Sequence, residues 1–186
     1  MPSYTVPIDT FNNFKNYVNG KGFDVDGSHG YQCWDGLQLL WQQLGMWLST
    51  DGTHYVYGCW NERVRASNAG DQFYLIYNLA DVKVGDVMIF DHGSPWGEAG
   101  HGGYACENYN GGDRIQLLSQ NYRNSSATHG SPFSIDNVRV ARFRGAFRYK
   151  GWNGEPGPGP GPSPSAHRKS NFPWVLYGNR LRHGRR

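Results

Sequence analysis

The stretch Gly30 to Trp47, GYQCWDGLQLLWQQLGMW, decides how this chain is read. Leu37, Leu40, Trp41, Leu44 and Trp47 recur at helical spacing, so one face of a helix turns toward a core. Cys33 stands in or just before the first turn of that helix. Backbone N–H groups there lack helical acceptors and present the positive end of the dipole. Such a position favours thiolate and lowers a cysteine below its ordinary value near 8.5. A small buried apolar residue is the plainer reading of the same cysteine.

Working outward, DTFNNFKNYVNGKG (residues 9–22) predicts an earlier helix, capped by Asp9 or Thr10 and ended by Gly20, with Phe11, Phe14 and Val18 on one face. A short third helix is expected over about Cys59 to Ser67. The pattern then changes to strands: FYLIYNL, GDVMIFD, GGYACENY, RIQLLSQNY and VRVARFRGAFRYK are β-rich runs broken by Gly, Asn, Asp or Ser. Helices first and strands after imply an α+β fold, N-terminal helices followed by a twisted antiparallel sheet.

The body is bounded at residues 1–152. From 153 to 166 alternating Pro and Gly form an extended linker, and 167–186 is a basic, aromatic tail. The formal charge of +3 conceals this division: ahead of His167 the chain carries 12 Lys and Arg against 15 Asp and Glu. A basic charge confined to a terminal segment, with no DNA-reading motif in the body, argues against a nucleic-acid-binding protein. No stretch approaches the roughly 20 apolar residues of a membrane span, and the first residues lack a secretory signal, so a soluble product made in the cytoplasm is expected. The 3 cysteines, Cys33, Cys59 and Cys106, are too few and too scattered for a disulfide framework or a structural zinc site.

A cysteine nucleophile needs a base. His101, in EAGHGGYAC, opens an expected strand between glycines that allow close approach of another segment. The imidazole needs a third group to orient it, and the next strand offers Ser119, Gln120 and Asn121. Strand alternation would put Ser119 and Asn121 on one face, toward His101. The remaining histidines, at 29, 54, 92, 129, 167 and 183, lie in turn-like or basic surface contexts. Backbone N–H groups around Cys33 would hold an oxyanion, with the Gln32 side chain as a further donor; Gln32 reads equally as a turn residue.

The acidic run before the cysteine has the ligand spacing of an EF-hand loop. With Asp24 as position 1, Asp26, Ser28, Gly30 and Asp35 fall at 3, 5, 7 and 12. Position 6, a glycine in EF-hands, is His29, and Asp35 is shorter than the usual glutamate.

In order, DVDGSHGYQCWDG, LADVKVGDVMIFD, GHGGYA and SQNY resemble the CHAP domain, the cysteine, histidine-dependent amidohydrolase/peptidase family, in the form found in bacteriophage lysins. The similarity spans roughly residues 10–150, and the D-x-D…G-x-Q-C-x-D block is its most specific part. It implies a papain-like fold in which Cys33 attacks an amide or peptide bond of bacterial peptidoglycan and His101 is the base. Asn121 matches the asparagine of the family's Glu-x-Asn triplet, while Ser119 stands where many relatives have glutamate. Asn121 is therefore expected to orient His101. The resemblance also implies, as in some phage relatives, calcium at Asp24, Asp26, the Gly30 carbonyl and Asp35, with Ser28 added by the EF-hand spacing, pinning the loop that delivers Cys33.

The expected protein is an endolysin or a tail-associated lysin, acting on the cell wall after release from the host cytoplasm or from the virion tail. An inactive virion structural or binding protein built on the same body is the competing reading. The tail, with Phe172, Trp174 and Tyr177 among basic residues, would dock on a wall polymer or a virion protein. Trp34, Trp41 and Trp47 are expected in the core or groove wall, and Trp60, Trp96, Tyr104 and Tyr122 along the substrate cleft.

Overall fold

A computed structural model describes residues 4–152, apart from Asn124 and Ala127. The expected linker and tail lie outside the described residues.

Helix α1, Phe11–Val18, starts where the Thr10 side chain accepts a hydrogen bond from the Asn13 N–H, 3.1 Å away. It buries Phe11, Phe14 and Val18. Helix α2, Cys33–Gln43, buries a continuous run from Asp35 to Trp41, because the sheet and the preceding loop cover it from both sides. The third helix is displaced from its expected bounds. A 3₁₀ turn, Val56–Trp60, comes first, Asn61 is extended, and α3 then runs Glu62–Ala69. Asn68, fully buried in α3, donates to the carbonyls of Ser49 and Cys59 and accepts from Ser49 N–H, so local polar ties fix this region more than amphipathic spacing does.

Six strands follow: β1 Phe73–Ile76, β2 Val87–Phe90, β3 His101–Ala105, β4 Arg114–Ser119, β5 Ser134–Arg139 and β6 Phe143–Tyr149. They form one antiparallel sheet in the order β1-β6-β2-β3-β4-β5. The α+β architecture is thus as expected. The run VRVARFRGAFRYK, however, is not one strand: it is cut into β5 and β6 at Arg142, whose φ is 64°. A non-glycine residue in the left-handed region gives no turn signal in the sequence.

This connection also shows that the sheet is rolled. From Arg139 to Phe143 the chain reaches at most about 15 Å. In a flat sheet β5 and β6 would stand about 19 Å apart, at roughly 4.8 Å per strand. The sheet curls until its β5 end returns toward β6. Inside the roll every strand contributes to one cluster: Ile76, Met88, Phe90, Ala105, Ile115, Leu117, Val138 and Ala146. The other face packs against the helices, with Leu37, Leu40, Trp41, Val56, Tyr104 and Phe147 in a second core. Among the described residues no helix is long and apolar enough to cross a membrane.

Candidate active site

Two segments meet at the end of β3. Cys33 is the first residue of α2, and the thiol lies against the backbone N–H of Gly102, which with Trp34 and Cys33 N–H favours the thiolate. Burial outweighs these donors and pushes the thiol up to about 12, with the Asp35 charge adding to the rise. The helix-terminal position is present as expected, but Cys33 is half-buried against the helix-side core, and desolvation there opposes the expected lowering of the thiol. Gly102 permits this approach, since any side chain there would collide with Leu37 and Val56.

His101 opens β3 and is 5% exposed. Its Nε2 lies 3.0 Å from Ser119 Oγ, and its ring is flanked by Trp96 and Tyr122, with centroids 5.1 and 5.7 Å away. Burial drives the imidazole down to about 4, and Asp136 pulls it in the opposite direction. At neutral pH thiol and imidazole both rest uncharged. Among the described residues no hydrogen bond joins Cys33 to His101; the two segments touch through Gly102.

Asn121 is not the group that orients His101. Its φ is 57°, so the strand alternation that would have aligned it with Ser119 ends one residue earlier, at the end of β4. Its side chain instead donates to Gln32 Oε1 at 2.6 Å and to the Ser126 carbonyl, and accepts from Ser126 N–H. Ser119 takes the place at the imidazole. Gln32 is corrected as well: its side-chain amide donates to the carbonyls of His29, at 2.5 Å, and Ser126, at 3.2 Å, so both hydrogens are committed away from an oxyanion.

Gln120, between them and also offered by that strand, turns to the acidic loop instead of the imidazole. It is fully buried, accepts from Phe23 N–H at 2.7 Å, and donates to the carbonyls of Phe23 and Gln32. One side chain therefore clamps both ends of the acidic loop.

Within that loop, side-chain oxygens of Asp24, Asp26 and Asp35 lie within 4.8 Å of one another. Asp35 is buried and accepts from the N–H groups of Val25, Asp26 and Gln32. Burial, reinforced by the Asp26 charge, raises it to about 7 despite these donors. Three carboxylates gathered this closely could hold a cation, and hard oxygen donors suit calcium. Ser28 contributes its N–H to Asp26 Oδ1, while the Gly30 carbonyl accepts from Gln32 N–H. His29, at the position of the EF-hand glycine, adopts the left-handed conformation that glycine supplies there, with φ 63°.

A groove of about 680 Å³ runs past Cys33, lined by Asp26, His29, Trp34, Trp47, His54 and Tyr55 among others. Trp34 and Trp47 face each other at 5.0 Å, and Trp47 is half exposed. Two expected cleft residues are core instead: Tyr104 donates its hydroxyl to the Gly36 carbonyl beneath α2, and Trp60 packs edge-on against Phe147. Trp41 is core as expected. Trp96 and Tyr122 lie at His101 rather than in the groove wall.

No known family profile matches the chain. In an alignment 142 positions long that covers 69% of its length, it is 28% identical to a D-alanyl-L-alanine endopeptidase of Streptococcus phage B30, and it spans about a third (31%) of that relative's length. Its fold is similar to the crystal structure of the wild-type endolysin LysIME-EF1, with a TM-score of 0.62 and 24% identity over 78% of this chain and 66% of that one.

Proposed function

We propose that the body is a CHAP-type peptidoglycan hydrolase that cuts an amide or peptide bond through a cysteine acyl-enzyme. The observation that carries this reading is the convergence of a helix-terminal cysteine on the backbone N–H beside a strand-opening histidine, in a segment bordering an open groove. The likenesses to a phage endopeptidase and to an endolysin fold support it.

The pair starts neutral. As a substrate carbonyl enters, the Cys33 proton would pass to His101, whose Nδ1 is the ring nitrogen that Ser119 leaves free, while the sulfur bonds to the carbonyl carbon. The first-turn N–H groups of Cys33 and Trp34 lie beside the sulfur and receive the developing oxyanion. The imidazolium then protonates the leaving amine, which departs and leaves a thioester. Water, deprotonated by His101, attacks the thioester; the carboxylic product leaves and the proton returns to sulfur.

Asp24, Asp26 and Asp35 would hold calcium, which when bound neutralises their charges and fixes the loop ahead of Cys33. In this reading the whole protein acts on the wall as an endolysin or as a tail lysin, and residues 167–186 dock it on a wall polymer or virion protein.

The test is digestion of purified cell walls by the full chain and by Cys33→Ala, with mass spectrometry of the soluble fragments. Wild type should release fragments ending at one defined bond, with a D-alanyl-L-alanine junction the first to look for. The variant should release none while keeping its circular dichroism and melting temperature. Equal release by Cys33→Ala would remove the cysteine mechanism.

A further inference from the structure

The imidazole lacks a carboxylate on its neighbouring strand, since Ser119 is neutral, yet β5, the next strand over, carries one on the same face. Ser119 stands opposite Ser134, and Leu117 opposite Asp136, in the β4–β5 register. Opposite residues of an antiparallel pair, and alternate residues of one strand, project to the same face. Ser119, Ser134 and Asp136 therefore share the inner face of the rolled sheet with Leu117 and Val138. His101 belongs to the same face, two and four residues from Gly103 and Ala105 on β3, and bonds to Ser119 from there.

Asp136 is held in place. Its side chain is only 12% exposed, accepts the Ser134 hydroxyl, and receives Arg123 Nε at 3.1 Å and Nη2 at 2.6 Å. We infer that Asp136, fixed on β5 by Ser134 and Arg123, is a positioning residue that supplies from across the strand pair the negative charge His101 needs when it becomes imidazolium. The inference rests on His101 being the base of the proposed hydrolase. Consistent with it, Asp136 is the one charge that raises the otherwise depressed imidazole.

The ionisable and aromatic groups around His101 are Asp136 with its Arg123 partner from the β5 side, Cys33 across Gly102, and the Tyr122 ring; Trp96 carries no charge. Asp91 and His92, on the loop leading to β3, are paired with each other, and Asp91 also faces Arg144.

Two variants of the full chain test the assignment, Asp136→Asn and Arg123→Gln, with the His101 imidazole titrated by NMR and wall hydrolysis measured alongside. Asn keeps the shape and the acceptor for Ser134 but removes the charge, so the imidazole value should fall further, by about half a unit or more, and kcat should drop roughly fivefold with KM little changed. Arg123→Gln unscreens the carboxylate and should move the imidazole value up. A merely structural role would perturb both variants in the same direction and show in melting temperature, not in opposite titration shifts. Unchanged titration in both, or shifts of one sign, would overturn the inference. The titration reads charge placement without any substrate, so its result is separable from that of wall hydrolysis.

Discussion

Trp96 lies over His101 with the two ring planes within 5° of parallel and the centroids 5.1 Å apart, and its indole N–H is anchored on the Ala141 carbonyl at 2.8 Å. The indole keeps water off one imidazole face, which is part of the burial that holds the ring near 4. Trp96→Ala should therefore let the His101 value climb toward the ordinary 6.5, whereas Trp96→Phe should change it little. NMR titration reads this directly; an unchanged value in the alanine variant would place the desolvation elsewhere.

The same depressed imidazole makes stability depend on acid. Between pH 6.5 and about 4 the unfolded chain binds a proton at His101 that the native state refuses, so the unfolded state holds more protons there. Stability contributed by the neutral buried ring is fully present above 6.5 and is lost as pH falls toward 4, by about 3 kcal/mol. Urea unfolding at several pH values should show wild type losing more stability across this window than His101→Gln, and parallel curves would contradict the assignment.

Ser119 and Asn121 should separate under mutation. Ser119→Ala removes the hydrogen bond at Nε2 and should lower kcat by roughly tenfold to a hundredfold with little change in melting temperature. Asn121→Ala strips partners from Gln32 and Ser126, which costs about 1–3 kcal/mol. Its main effect should be a lower melting temperature. Kinetic and thermal measurements on the pair check the division, and the reverse pattern would return Asn121 to the imidazole.

If the acidic loop holds calcium, melting temperature should rise with calcium concentration and fall on chelation, since binding to the native state alone stabilises it by mass action. Asp24→Asn with Asp26→Asn should abolish the dependence. A flat titration with wild type would leave the loop as a turn held by its own hydrogen bonds.

Much of this was legible in the sequence because it follows from period and spacing. The helical face of Leu37, Leu40 and Trp41 and the strand runs are local patterns, and so is the acidic spacing from Asp24 to Asp35 that the fold gathers within 4.8 Å. What the sequence concealed depends on single dihedrals and on distant partners. Asn121 leaves the strand alternation through one left-handed residue, and Arg142 cuts a continuous β run the same way. The committed amide of Gln32 and the clamp at Gln120 join residues about 90 apart in the chain, and burial, a property of the whole core, overrides the dipole at Cys33. Asp136 is invisible without the β4–β5 register.

The tripeptide Ser119-Gln120-Asn121 touches three different things in succession: the His101 imidazole, both ends of the acidic loop, and Gln32, the residue just ahead of Cys33. His101 and the residue before Cys33 thus hang from a single rung at the end of one strand, and their relative alignment is inherited from that rung. A shift of β4 would carry His101 and the loop ahead of Cys33 together, whereas a break within these three consecutive residues would uncouple them.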